Sequence, residues 1–172
     1  EGLLVIEPQV FHDARGYFCE TYNEQRYHEA GITAQFVQDN QSCSSYGVVR
    51  GLHFQRPPYT QAKLVTCTAG QVLDVAVDLR HDSPTYGKWY AVELSAENHR
   101  QFFIPRGFAH GFITLTDDVE VQYKADNYYA PEADGGIRWN DPELAIDWGV
   151  EHPILSQKDE NNPWLKDAET GF

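Results

Sequence analysis

A chain of 172 residues with 41% apolar and 13% aromatic side chains is too aromatic for disorder and can bury roughly 70% of its unfolded surface in a core without staples. Its net charge of −13 excludes a nucleic-acid groove and an anionic membrane surface, both of which need basic patches. No apolar run approaches the roughly 18 residues of a membrane span. The start, Glu1-Gly2-Leu3-Leu4, has no signal-peptide layout, and Cys19, Cys43 and Cys67 have an odd count and no metal spacing, so one domain over residues 1–172 with reduced thiols in the cytoplasm is expected.

Residues 23–30 read as a helix, with Asn23 as its cap and Gly31 as its stop. From there the chain reads as strands. Residues 48–54, 63–68, 71–78, 89–94, 101–104, 111–115 and 119–125 are rich in β-branched and aromatic residues and are separated by turns such as Asp82-Ser83-Pro84-Thr85-Tyr86-Gly87. The stretch 129–148 carries Pro131, Gly135, Gly136 and Pro142 and is predicted to be irregular. Residues 156–160 and 164–169 form a second helical region. Many short strands at this spacing predict an all-β antiparallel sandwich or barrel with a few short peripheral helices.

Five positions could carry chemistry. In Arg50-Gly51-Leu52-His53-Phe54-Gln55, strand alternation turns His53 away from Leu52 and Phe54. Pointing into a barrel, in an aromatic-lined and largely dry cavity, it is either a satisfied interior histidine or a neutral base. Arg50 falls one residue off that alternation. Lys63, at the start of an apolar strand, is either an edge charge that discourages aggregation or an ammonium beside a carbonyl oxygen. Tyr123 on a late strand is either a packed phenol or a general acid with a reference pKa of about 10. Asp159, read locally, is an ordinary solvated helix carboxylate. Pro105-Arg106-Gly107-Phe108-Ala109-His110 matches the second half of the cupin signature, in which a tight turn delivers a histidine to the barrel mouth. The first half would supply a His-x-His pair, but His53-Phe54-Gln55 stands there. Two isolated imidazoles make a poor transition-metal site, so no metal and no cofactor are expected.

These stretches, together with Phe36-Val37-Gln38-Asp39-Asn40, Leu94-Ser95-Ala96-Glu97-Asn98, Asn127-Tyr128-Tyr129 and Trp139-Asn140-Asp141, resemble the dTDP-4-dehydrorhamnose 3,5-epimerases in order, from about Ile6 to Asp159. The resemblance implies a dimeric cupin jelly roll that inverts C3 and C5 of dTDP-4-dehydro-6-deoxy-D-glucose without a cofactor. It implies His53 as the base, Asp159 as its carboxylate partner, Lys63 at the C4 oxygen and Tyr123 as the acid on the opposite face. Arg50 and Arg15 match arginines of the pyrophosphate and nucleotide site. Phe18, Glu20, Gln38, Asn40 and Tyr128 match contacts to nucleotide or sugar, and His110 lines the same cavity. Such a set also reconciles an acidic protein with an anionic substrate, because the basic residues converge on one mouth. The N-terminal strand is shortened at Glu1, at an edge the family uses for its dimer. The alternatives are a single-site epimerase at C5 or C3, a 3,4-ketoisomerase on a related sugar, and a non-catalytic sugar-nucleotide-binding cupin.

Overall fold

Two five-stranded antiparallel sheets face one another in the computed structural model, which describes residues 2–172; Glu1 lies outside the described residues. The strands are β1 (Leu4–Ile6), β2 (Val10–Asp13), β3 (Gly16–Cys19), β4 (Gln38–Ser44), β5 (Val49–Gln55), β6 (Lys63–Ala69), β7 (Gln71–Asp78), β8 (Trp89–Ser95), β9 (Gln101–Ile104), β10 (Phe108–Thr114), β11 (Val119–Ala125) and β12 (Asp134–Gly136). One sheet runs β1-β9-β6-β11-β4 and the other β12-β5-β10-β7-β8, while β2 and β3 form a separate hairpin.

Strand alternation sorts three apolar clusters. Val65, Cys67, Val72, Ala76, Phe102, Phe112 and Val121 meet between the sheets. Val49, Leu52, Phe54, Val75, Val77 and Ile113 pack outward from the second sheet under Ile137, Leu144, Ile146, Trp148 and Leu165 of the C-terminal segment. Leu64 and Phe103, on the outer face of the first sheet, pack with Ile32 and Ala62 beside Tyr22, Tyr27 and Phe36. The second sheet is therefore buried on both faces, which is why Gln71–Asp78 alternates only partly in sequence.

The helices are as short as expected. Helix α1 (Glu24–Glu29) is capped by the Asn23 side chain, which accepts the Arg26 N–H, and Gly31 follows it at a φ of 93°. Helix α2 (Gln157–Glu160) is capped by Ser156, whereas the expected helix over 164–169 is only a 3-10 turn at Leu165–Asp167. The stretch 129–148 is not wholly irregular: a 3-10 turn at Pro131–Ala133 leads into β12, whose backbone completes the edge beside β5. Strands β2, β3 and β4 lie outside the strands expected from the sequence. The hairpin is mostly exposed, and β4 (Gln-Asp-Asn-Gln-Ser-Cys-Ser) is a polar edge strand.

Strand β5 departs from regular alternation at one point. His53 pairs with His110 and Arg50 with Phe112, so three steps on β5 match two on β10 and Gly51 is the extra residue of a bulge. Gly51 has a φ of 132°, and a Cβ there would stand 2.6 Å from the Cα of Gly111 and 2.9 Å from the His110 carbonyl oxygen. Only glycine fits.

Candidate active site

The bulge determines what the site contains. A regular strand would set Arg50 and His53 on opposite faces, as the alternation predicts. With Gly51 extruded, Val49, Leu52 and Phe54 all enter the outer core while Arg50 and His53 turn to the inner side. The expectation that Arg50 falls off the pocket is corrected by that one extra residue.

On the inner face, His53 Nε2 lies 2.5 Å from Asp159 Oδ1. Asp159 Oδ2 accepts the Gly51 N–H at 3.2 Å, and the Asp159 N–H is donated to the Ser156 hydroxyl. Far from being a solvated helix carboxylate, Asp159 is 3% exposed. Burial pushes its carboxyl up, but the hydrogen bonds and charge of His53 and the Gly51 N–H outweigh this and hold it below the ordinary value. The local reading of Asp159 fails because its burial comes from β5, more than a hundred residues away in sequence.

His110 is directly opposite His53 and is buried on β10 itself rather than in the preceding turn. Its Nε2 lies 2.9 Å from Asp74 Oδ2. Burial drives both groups toward neutrality, the imidazole down and the Asp74 carboxyl up, and each partly restores the other's charge. Asp74 escaped the sequence reading. Its signal was a carboxylate on the inward face of an otherwise apolar strand, between Val72 and Ala76.

Tyr123 meets His110 edge-on, with ring centroids 6.4 Å apart, and the Lys63 ammonium stands 5.3 Å from the Tyr123 ring centroid. The row His53–His110–Tyr123–Lys63 thus links two imidazoles, a phenol and an amine across both sheets. Strand β6 is interior to its sheet, so Lys63 is not an edge charge. Desolvation pushes its ammonium down to about 8, against the pull of Asp74 and Asp134. Burial and the nearby Asp134 raise the Tyr123 phenol, partly offset by Arg50, and so keep it protonated. Phe112 and Tyr123 both lie against His110, with ring centroids 6.3 and 6.4 Å from it.

The expected binding residues divide in two. Asn40 pairs directly with Tyr123, and Gln38 with Ala125, which pairs in turn with Lys63; Gln38 also donates to Asn40. Arg50 donates to the Ser44 hydroxyl and the Cys43 carbonyl, and Tyr128, largely exposed, accepts from Gln55 through its carbonyl. Arg15, Phe18 and Glu20 are not gathered here. Arg15 pairs with Asp13 on the β2–β3 hairpin, Phe18 is 70% exposed, and Glu20 pairs with Arg26. Asp134, which the sequence did not single out, accepts from Tyr129 and Lys158 at the β12 edge.

Among the described residues, no three histidine, cysteine or carboxylate groups converge as metal ligands, and each imidazole already faces its own carboxylate. The three cysteines are free. No helix among the described residues is long and apolar enough to cross a membrane.

A jelly-roll barrel of the cupin type that brings two imidazoles, a phenol and an ammonium together is the scaffold of a sugar-nucleotide isomerase. The model of the dTDP-4-dehydrorhamnose 3,5-epimerase family matches residues 1–167. The Escherichia coli (strain K12) dTDP-4-dehydrorhamnose 3,5-epimerase is 56% identical over 162 residues, covering 93% of this chain and 88% of that protein. The crystal structure of the enzyme of that name from Elizabethkingia anophelis superposes with a TM-score of 0.92 at 54% identity, covering 96% and 92% of the two chains. That of a dTDP-6-deoxy-D-glucose-3,5-epimerase from Legionella pneumophila, in complex with dTDP-4-keto-L-rhamnose, does so at 0.93 and 50%, covering 96% and 89%. The chain belongs to the dTDP-4-dehydrorhamnose 3,5-epimerase family.

Proposed function

We propose that this protein epimerises dTDP-4-dehydro-6-deoxy-D-glucose at C3 and C5 to dTDP-4-dehydro-L-rhamnose, with its own side chains as the only acids and bases. The observation that carries this reading is the row His53–His110–Tyr123–Lys63, backed by the buried Asp159 carboxylate. A C–H beside a ketone becomes acidic only when the enolate is stabilised, so inversion needs a base, an oxyanion partner and an acid on the far face. His53 removes the proton, and ionised Asp159 supports the imidazolium. The Lys63 ammonium faces the C4 oxygen as charge develops there. Tyr123 returns a proton from the opposite side, with its phenol kept protonated by burial.

Nucleotide binding falls to Arg50, Gln38, Asn40 and Tyr128 around this row, and to Arg15, Phe18 and Glu20 on the hairpin. The hairpin residues lie apart from the row within one chain, and the hairpin and β1 expose Phe11, Tyr17, Phe18, Leu4 and Val5. A homodimer covers those apolar side chains and offers one protomer's hairpin to the other's site. Free thiols fit a cytoplasmic setting.

Proton NMR of the 4-keto sugar nucleotide with enzyme in D₂O tests the reading. Deuterium appears at both C3 and C5, and the rate survives exhaustive chelation. Exchange at one carbon alone would make the protein a single-site epimerase. Loss on chelation with recovery on adding a divalent cation would contradict the metal-free chemistry.

A further inference from the structure

Gln55 stands where the second histidine of a metal cupin's His-x-His pair would be, and the proton transfers make no use of it. It is 5% exposed, and both ends of its carboxamide are engaged. Its Nε2 donates to the Tyr59 carbonyl at 2.6 Å and to the Tyr128 carbonyl at 3.2 Å, and its Oε1 accepts the Ala130 N–H at 2.8 Å. The segment it grips, residues 127–130, is neither helix nor strand, so its backbone groups need side-chain partners. Gln61 donates to the Asn127 carbonyl at 2.7 Å, and Gln38 accepts the Tyr129 N–H at 3.0 Å. Gln55 holds the segment at two points, one at Tyr128 itself. Tyr128 is 66% exposed, so its ring gains little from packing and stands where the main chain puts it.

Resting on the reading of Tyr128 as a contact to the sugar nucleotide, we propose that Gln55 is a positioning residue that sets Tyr128 against the ligand through its main chain. A carboxamide fits this place because it donates and accepts at once. A carboxylate would still accept from Ala130 but would face two carbonyl oxygens with no hydrogen to give. A thioether of similar length would leave all three backbone groups unpaired. Both N–H groups of Gln55 are directed at carbonyls, so neither is left for the ligand. Its effect therefore falls on Tyr128 and belongs in affinity rather than in the chemical step.

The experiment compares Gln55→Met, Gln55→Glu and Tyr128→Ala, and combines each Gln55 change with Tyr128→Ala. Calorimetry measures binding of dTDP-6-deoxy-D-glucose, whose C4 hydroxyl replaces the ketone so that it binds without reacting. Turnover gives kcat and KM, and every reading is taken well below the variant's own thermal midpoint. Gln55→Met and Gln55→Glu each bind the analogue about three- to ten-fold more weakly, the size of one aromatic contact. KM rises in step while kcat stays within about two-fold of wild type, because ground state and transition state lose the contact alike. Gln55→Glu, which keeps an acceptor for Ala130, carries the comparison if Gln55→Met does not fold. In the Tyr128→Ala background neither Gln55 change weakens binding further, because both act through Tyr128. Wild-type affinity in the Gln55 variants, losses that add in the double variants, or a fall in kcat at unchanged affinity overturns the positioning role. Tyr128→Ala with wild-type affinity would instead overturn the assignment of Tyr128 beneath it.

Discussion

At the scale of single residues, the site works by setting protonation states apart. The oxyanion role proposed for Lys63 needs a cation, and burial brings its pKa down to about 8 from 10.5. The active ammonium is complete well below that value and is lost as pH rises through it. The rate therefore declines on an alkaline limb near pH 8, far earlier than an exposed lysine would allow, and a pH–rate profile checks this. A rate unchanged to pH 10 would remove Lys63 from the oxyanion role. Lys63→Ala slows exchange at C3 and C5 alike, by about 10²–10³-fold, because both enolates place their charge on the same C4 oxygen. His53, Lys63 and Tyr123 were legible as residue types in strands of the right period. Their partners were less so. Asp159 and Asp134 gain their meaning only from contacts across the fold, and Asp74 showed itself only as a polar break in an apolar strand.

At the scale of elements, the bulge in β5 is the device that assembles the site. Alternation located β5 correctly and still misplaced Arg50, because one unpaired residue reverses the parity of everything before it. Gly51 inside a predicted strand was the available hint, since an isolated glycine inside a strand marks a bulge or a close backbone approach. Gly51→Ala tests this. The new Cβ meets backbone on two sides and the φ of 132° disfavours any side chain, so a loss of at least about 2 kcal/mol is expected. Thermal unfolding measures the loss, and calorimetry with dTDP should show weaker binding as Arg50 is displaced. A variant with wild-type stability and dTDP affinity would show that the bulge does not assemble the site. The main strands were legible from β-branched and aromatic runs. Strands β2, β3 and β4 were not, because a solvent-facing hairpin and a polar edge strand have no apolar periodicity.

At the scale of the whole molecule, the proposed function asks an acidic protein to bind an anionic nucleotide, which needs a few cations concentrated at one place. Arg50 and Lys63 lie along the row His53–His110–Tyr123–Lys63, whereas Arg15 sits on the hairpin beside Asp13. The ordered resemblance located Arg15 in the nucleotide site without saying which protomer's site it serves. In the proposed dimer, whose hairpin reaches a second copy, Arg15→Ala weakens dTDP binding while leaving the dimer intact by analytical ultracentrifugation. Mixed dimers of Arg15→Ala and His53→Ala chains then regain one working site, from the wild-type hairpin of the second and the wild-type base of the first. A mixture as inactive as its parents would place Arg15 at its own chain's site or at none.

His53 and Tyr123 are proposed to act on opposite faces of one enolate, and deuterium incorporation at C5 in the two variants tests this most directly. His53→Ala should lose both wash-in and product, since no proton leaves the ring. Tyr123→Phe keeps the ring packed against His110 and removes only the hydroxyl. Its enolate still forms and is reprotonated from the His53 side, so deuterium continues to enter at C5 while inversion there falls sharply. Exchange persisting in His53→Ala, or inversion at the wild-type rate in Tyr123→Phe, would contradict the two-face mechanism and move the search for the missing group to His110.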